Sequence, residues 1–231
     1  MNIAIILAGG TGSRISNELP KQFITISDRS ILEHSIDAFE KNNHIGKIAI
    51  VMNEDYLSYM DEIIKHNAYT KIDKIIKGGK ERYESSWNAI KEYAGESDCN
   101  LIFHDAARPM VSQRIINETV AALGNYNAVA VAIPSTDTIY NIDTKNNVLK
   151  SVPERNGLYC AQTPQAFNIS TIRKAYELFL KSTDFVATDD TGIVSKFIPE
   201  EKIYIVNGDK SNIKITYAED VEFAKHLLEL V

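Results

Sequence analysis

The tightest constraint on this chain is the order in which its hydrophobic periodicities change. Ile3 to Leu7 is an apolar run that stops at glycines, and Ser30 to Glu40 carries Ile31, Leu32, Ile36 and Phe39 at helical spacing. The same pair of patterns recurs. Lys47 to Met52 reads as strand, Asp55 to His66 as helix, Lys74 to Lys77 as strand, Tyr83 to Tyr93 as helix and Asn100 to Phe103 as strand. Strands separated by helices cannot pair as hairpins, so they form a mostly parallel sheet covered by helices on both faces. Ligands of such sheets lie beyond the carboxyl ends of the strands. That places Gly9 to Arg14, Gly78 to Arg82 and Asp105 to Arg108 at one mouth.

The alternation breaks after Ala128 to Ile133, itself a strand. Thr136 to Ile142 and Val148 to Val152 flank a turn signal made by Asp143, Lys145, Asn146 and Asn147, which predicts a β-hairpin arm at about 136–155. Helices follow at Thr171 to Leu180 and Asp189 to Lys196, strands at Ile203 to Val206 and Ile213 to Thr216, and a closing helix from Ala218 to Leu230. No repeat or low-complexity linker interrupts the 231 residues, so one domain over 1–231 is expected. No run approaches the ~20 apolar residues that span a bilayer and no leader pattern opens the chain, which predicts a cytoplasmic protein without a membrane partner. A formal net charge of −6 argues against nucleic acid as a partner. Cys99 and Cys160 have no metal-ligand spacing and read as small buried thiols.

Gly9, Gly10 and Gly12 follow the first strand, where missing side chains let backbone amides approach an anion. The loop is neither a GxxxxGK[ST] phosphate loop nor a dinucleotide fingerprint, because Ile15 occupies the third glycine position. A dinucleotide-dependent oxidoreductase is correspondingly disfavoured. Arg14 and Lys21 add two cations, which suits a triphosphate. Asp105, at a strand end, suits magnesium, which takes one or two carboxylates plus phosphates and waters; helix capping is the alternative. Arg108 could fork onto a second phosphate. His104 beside it reads as packed rather than catalytic. Asn212 to Thr216 alternates polar and apolar, which puts Asn212, Lys214 and Thr216 on one face and Ile213 and Ile215 in the core. No nucleophile–base set is visible. A phosphate monoester, with a second pKa near ~6, is already dianionic at neutral pH and needs none.

With these residues assembled, the chain resembles the CTP-dependent polyol-phosphate cytidylyltransferases, the family of the methylerythritol-phosphate and ribitol-phosphate enzymes. The motifs are LAGGTGSR at 7–14, PKQ at 20–22, GGKERYES at 78–85, HDAARP at 104–109, DT at 137–138, QTPQAF at 162–167, TDD at 188–190 and NIKIT at 212–216. The resemblance implies a three-layer Rossmann-like nucleotidyltransferase fold with a protruding arm. It implies that Arg14, Lys21 and Lys214 bind the triphosphate and stabilise the pentavalent α-phosphorus, and that Asp105 holds Mg2+. Ala8, Gly9, Gly10, Gly12, Gly79, Arg82 and Ser85 would take the nucleotide, and Arg108, Thr138 and Arg155 the polyol phosphate. In this family the arm reaches across a homodimer, so Thr138 and Arg155 would serve the neighbour's site. Ile15, Ser16 and Trp87 depart from the family pattern without touching these groups.

The acceptor is read from features that point both ways. LAGG, PKQF, the run ending in Tyr140 and PEEKIYIV at 199–206 look like ribitol-phosphate enzymes, whereas HDAARP, AQTPQAF and TDD look like methylerythritol-phosphate enzymes. The expectation is D-ribitol 5-phosphate, with 2-C-methyl-D-erythritol 4-phosphate as the alternative. A catalytically silent nucleotide-binding module should have lost Lys21, Asp105 or Lys214, and all three are present.

Overall fold

In a computed structural model, which describes residues 1–10, 20–96 and 98–229, the alternation becomes a central sheet with helices on both faces. The chain runs β1 (Asn2–Ala8), a 3-10 turn at Lys21–Phe23, β2 (Thr25–Ile26), β3 (Arg29–Ser30), α1 (Ile31–Glu40), β4 (Lys47–Met52), α2 (Leu57–Asn67), β5 (Ile72–Lys77), α3 (Arg82–Glu92) and β6 (Asn100–Asp105). It continues through α4 (Gln113–Ala122), β7 (Ala128–Pro134), β8 (Asn141–Asp143), β9 (Val148–Ser151), β10 (Tyr159–Asn168), α5 (Ile169–Phe179), α6 (Asp190–Phe197), β11 (Ile203–Asn207) and α7 (Ala218–Glu229).

Seven strands order as β11-β7-β10-β6-β1-β4-β5, with β10 antiparallel to both neighbours and the remaining pairings parallel. Period-two alternation along β1 explains the three layers. Ala4 and Ile6 enter one buried cluster with Ile36 and Phe39 of α1, Met60 of α2 and Ile115 of α4. Ile3 and Ile5 enter the opposite one with Ile90 of α3, Ile172 of α5 and Ile193 of α6. A third, smaller cluster joins Ile26, Ile31, Ile215, Val221 and Ala224, so α7 packs over the β2–β3 hairpin. Helix α1 starts where expected because Ser30 forms a capping box: its amide donates to Glu33 Oε2 at 2.8 Å, and its hydroxyl accepts from the Glu33 amide at 3.3 Å.

Four expectations change. The sequence pattern assigns no strand to 159–168, yet β10 is the longest strand and lies between β6 and β7. Its buried Gln162, Thr163 and Gln165 interrupt the apolar signal, and the pairing shifts register between Gln162 and Gln165. The pattern likewise assigns no helix to α4, which is capped by Ser112. Residues 213–216 belong to no strand, because the Ile215 amide donates to the Ala107 carbonyl in a loop (2.8 Å) and not to a strand edge. Asn212 accordingly turns inward and is fully buried, while Lys214 stays on the exposed side and Ile215 in the core. Cys99 is buried as expected, but Cys160 is exposed near the base of the arm. The arm itself is present with a shorter first strand, β8 paired to β9, and exposes Tyr140, Val148, Leu149 and Val152. No helix among the described residues is long and apolar enough to cross a membrane.

Candidate active site

Parallel strands β1 and β6 end side by side, with Leu7 in register with Asp105, so the loops that follow them open at one place. The cleft there is lined by Ala8, Gly9, Gly10, Lys21, Gly79, Arg82, Ser85, Asp105 and Lys214. These nine were expected at the nucleotide, metal and catalytic positions, and they lie together. Arg14 and Gly12 fall outside the described residues.

Asp105 is the centre of charge. Its carboxylate receives Lys214 Nζ at 2.8 Å on Oδ2 and Arg82 Nε at 3.4 Å on Oδ1. Burial would raise the carboxyl, but the charges of Arg82 and Lys214 outweigh it and hold the group well below the usual carboxylate range. Asp105 is therefore an anion whose negative charge is already shared by two cations. Its backbone is fixed too: the amide donates to Thr163 Oγ1 at 3.1 Å, and the carbonyl accepts from the Arg108 amide at 2.9 Å.

Lys214 sits on irregular backbone, so something other than a sheet must aim it. Asn212, two residues earlier, donates from Nδ2 to Gln162 Oε1 (3.1 Å) and to the Thr163 carbonyl (2.9 Å). Gln162 in turn donates to the Asp209 carbonyl at 2.8 Å. Gly208 leaves room for this amide, since a Cβ on it would lie 2.3 Å from Gln162 Oε1. Two cations grip the same segment: Arg108 Nη1 donates to the Asn212 carbonyl at 2.7 Å, and Lys21 Nζ to the Ile215 carbonyl at 2.7 Å. Buried Ile215 is the apolar anchor. Lys21 reaches this point because Gln22 beside it donates to the Ala8 carbonyl at 2.7 Å, tying the Pro20-Lys21-Gln22 turn to the end of β1.

On the far wall, Glu84 Oε2 accepts from the Lys80 amide at 2.6 Å and the Glu81 amide at 3.2 Å, which starts α3 at Arg82. Gly79 must be glycine because a Cβ would meet Glu84 Cβ at 2.2 Å. Its amide donates to Ser85 Oγ at 3.0 Å, so Ser85 is oriented by the loop it faces. Arg82 also pairs with Asp190 Oδ2 at 2.8 Å, a wholly buried acid that no sequence signal singled out beyond its place in the TDD motif.

Arg108 occupies the opposite flank of Asp105, beside Arg82, Gln162, Thr163, Asp189 and Lys214 in an adjoining cleft. Thr138 and Arg155 do not join it. Both are exposed on the arm, where Arg155 Nη1 donates to the Thr136 carbonyl at 3.2 Å, and neither lines the cleft around Asp105. His104 is packed, as read: its ring nitrogens meet the Arg108 carbonyl and Thr163 Oγ1, each at 3.0 Å, and burial pushes its pKa down to about 4. No group of three or more His, Cys, Asp or Glu side chains that could hold a metal occurs among the described residues. A lone strand-end carboxylate such as Asp105 nevertheless suits magnesium, whose other positions go to waters and substrate phosphates. What the arrangement can do chemically is bind a polyanion through Lys21, Lys214 and Arg82 and concentrate positive charge where phosphoryl oxygens gain negative charge.

The chain is similar to known proteins over nearly its whole length. The family model "IspD: 2-C-methyl-D-erythritol 4-phosphate cytidylyltransferase" matches residues 2–230. A Thermobifida fusca 2-C-methyl-D-erythritol 4-phosphate cytidylyltransferase is 39% identical over 97% of this chain and 92% of its own length. The Haemophilus influenzae bifunctional ribulose 5-phosphate reductase/CDP-ribitol pyrophosphorylase Bcs1 is 40% identical over 99% of this chain. The chain spans about half the length of that relative, 48%. The crystal structure of 4-diphosphocytidyl-2C-methyl-D-erythritol synthase from Anaerococcus prevotii superposes with a TM-score of 0.87 at 32% identity, covering 99% of this chain and 96% of that one.

Proposed function

Because the chain belongs to the 2-C-methyl-D-erythritol 4-phosphate cytidylyltransferase family and is thus a nucleotidyltransferase, we propose that it transfers CMP from CTP to 2-C-methyl-D-erythritol 4-phosphate. The observation that carries this acceptor is the near full-length similarity, in both directions, to enzymes named for it. That reverses the order expected from the motifs, in which ribitol 5-phosphate came first. Ribitol 5-phosphate stays as a second reading on one observation, the 40% identity to the CDP-ribitol pyrophosphorylase.

In the proposed reaction an oxygen of the acceptor's phosphate attacks the α-phosphorus of CTP. The bond from that phosphorus to the β-phosphate bridging oxygen breaks, and pyrophosphate leaves. Lys214, Lys21 and Arg14 neutralise the charge gathered on the α-phosphoryl oxygens, a role that needs preorganised cations and no general base. Ala8, Gly9, Gly10, Gly12, Gly79, Arg82 and Ser85 hold the nucleotide. Asp105 would hold Mg2+, which when bound adds charge neutralisation across the triphosphate. Arg108 receives the acceptor phosphate together with Thr138 and Arg155 from the arm of a second copy. The exposed apolar side chains of β8 and β9 support that homodimer, with residues 1–231 acting as one domain.

Pyrophosphate release with CTP and Mg2+, measured side by side with the two polyol phosphates, tests the proposal. Turnover is expected with 2-C-methyl-D-erythritol 4-phosphate. Turnover with ribitol 5-phosphate alone would reverse the assignment, and turnover with neither, despite CTP binding, would defeat both.

A further inference from the structure

Asp190 opens α6 with no exposure at all, and the chemistry above gives it no task. A carboxylate removed from water costs several kcal/mol unless it is paired. Here the pairing is built in: Asp190 accepts from Arg82 Nη1 at 2.8 Å and from the Tyr176 hydroxyl. Tyr176 is itself fully buried, stacked on Trp87 with centroids 5.9 Å apart and met edge-on by Phe179. Asp190 is thus a fixed point in an aromatic wall.

Arg82 spans from that wall to Asp105, and its two contacts are unequal. It gives Asp190 a 2.8 Å bond from Nη1, but reaches Asp105 only through Nε at 3.4 Å, while Nη2 is buried without a hydrogen-bond partner among the described residues. A guanidinium left to itself beside a carboxylate adopts a two-pronged fork with N–O distances of about 2.7–2.9 Å. With Nη1 anchored on Asp190, the Nε–Nη2 edge that would form the fork stops short of Asp105, Nε at 3.4 Å and Nη2 making no bond to it.

We infer that Asp190 is a positioning residue: by retaining Arg82 in the buried wall, it keeps the guanidinium from closing as a fork over Asp105 and so leaves Oδ1 of that carboxylate with one long contact, which a divalent cation can displace. This rests on the reading of Asp105 as the metal-holding residue. Tyr176 fixes the Asp190 carboxylate without adding charge, and Trp87 backs the Tyr176 ring.

The test is Mn2+ binding to the full chain without nucleotide, followed by loss of the free-ion electron paramagnetic resonance signal. Asp190→Asn keeps the side-chain shape but releases Arg82, and is expected to weaken Mn2+ binding about tenfold. In an Arg82→Gln background the same change should cost nothing further, and Arg82→Gln alone should bind Mn2+ at least as tightly as the unaltered chain. Tyr176→Phe should lower thermal stability while leaving Mn2+ binding within about twofold, as expected of a change that removes no charge. The inference is overturned if Asp190→Asn binds Mn2+ normally, if its loss persists without Arg82, if Tyr176→Phe weakens binding equally, or if Arg82→Gln weakens it. Asp105→Asn separates the two layers, since undiminished Mn2+ binding there would remove the metal reading itself.

Discussion

Replacing Lys214 with alanine separates chemistry from stability, because the structure assigns the two very different magnitudes. The Lys214 side chain is 44% exposed and its ion pair with Asp105 is 2.8 Å long. Pairs with that much solvent around one partner contribute ~0–1 kcal/mol to folding. The backbone that carries Lys214 is held by other groups: the Asn212 side chain, buried Ile215, and the bonds from Lys21 and Arg108 to its carbonyls. None of these depends on the lysine side chain, and Asp105 keeps Arg82. Unfolding temperature should therefore fall by no more than about 2–4 °C, the shift that ~1 kcal/mol produces in a chain of this size. Catalysis should lose far more. A preorganised donor aimed at developing negative charge contributes ~2.7–4 kcal/mol, so kcat should fall ~10²–10³-fold. The assay is pyrophosphate release at saturating CTP, Mg2+ and acceptor, with calorimetric unfolding of the same preparation. A kcat within about fivefold of the unaltered enzyme would remove Lys214 from the transition state. A melting-temperature loss well beyond about 4 °C would show that the lysine is part of the scaffold instead.

Asn212→Ala should behave in the opposite proportion: it strips two buried hydrogen bonds from Gln162 and the Thr163 carbonyl, costing ~1–3 kcal/mol in urea unfolding, and lowers kcat because Lys214 loses its mooring. His104 predicts an acid-side loss of stability. Its folded pKa, about 4, lies below the ordinary imidazole value of 6.5, so the unfolded chain binds the extra proton and stability falls as pH drops through that window. The loss should reach about 2 kcal/mol by pH 5. Chemical unfolding at pH 7 and pH 5 measures it, and His104→Gln should flatten the difference; an equal slope in that variant would refute the assignment. Asp105 acts in a separate window, because its depressed pKa yields stability that is lost only below about 3.8.

Much of this could be read along the chain because its signals are local. Helix α1 is announced by Ile31, Leu32, Ile36 and Phe39, and parallel pairing of β1 with β4 and β6 follows from helices standing between strands. The glycines after β1 and the acid ending β6 are legible as site candidates for the same reason: the pattern is written in adjacent residues, and they line one cleft. What sequence periodicity missed is polar and long-range. Strand β10 was hidden because its buried face carries Gln162, Thr163 and Gln165. The alternation at 212–216 suggested a strand, whereas the tertiary structure sends Asn212 inward to Gln162, 50 positions earlier. Arg82 and Asp190 stand 108 positions apart, and no pattern in either segment declares the pairing. Legible in the residues alone are the layered α/β class, the alternation from β1 to β6 and the kind of chemistry expected at the strand ends. Only the tertiary structure decided which carboxylate shares which cation, because a buried charge takes whichever partner folding brings within ~4 Å, irrespective of separation along the chain.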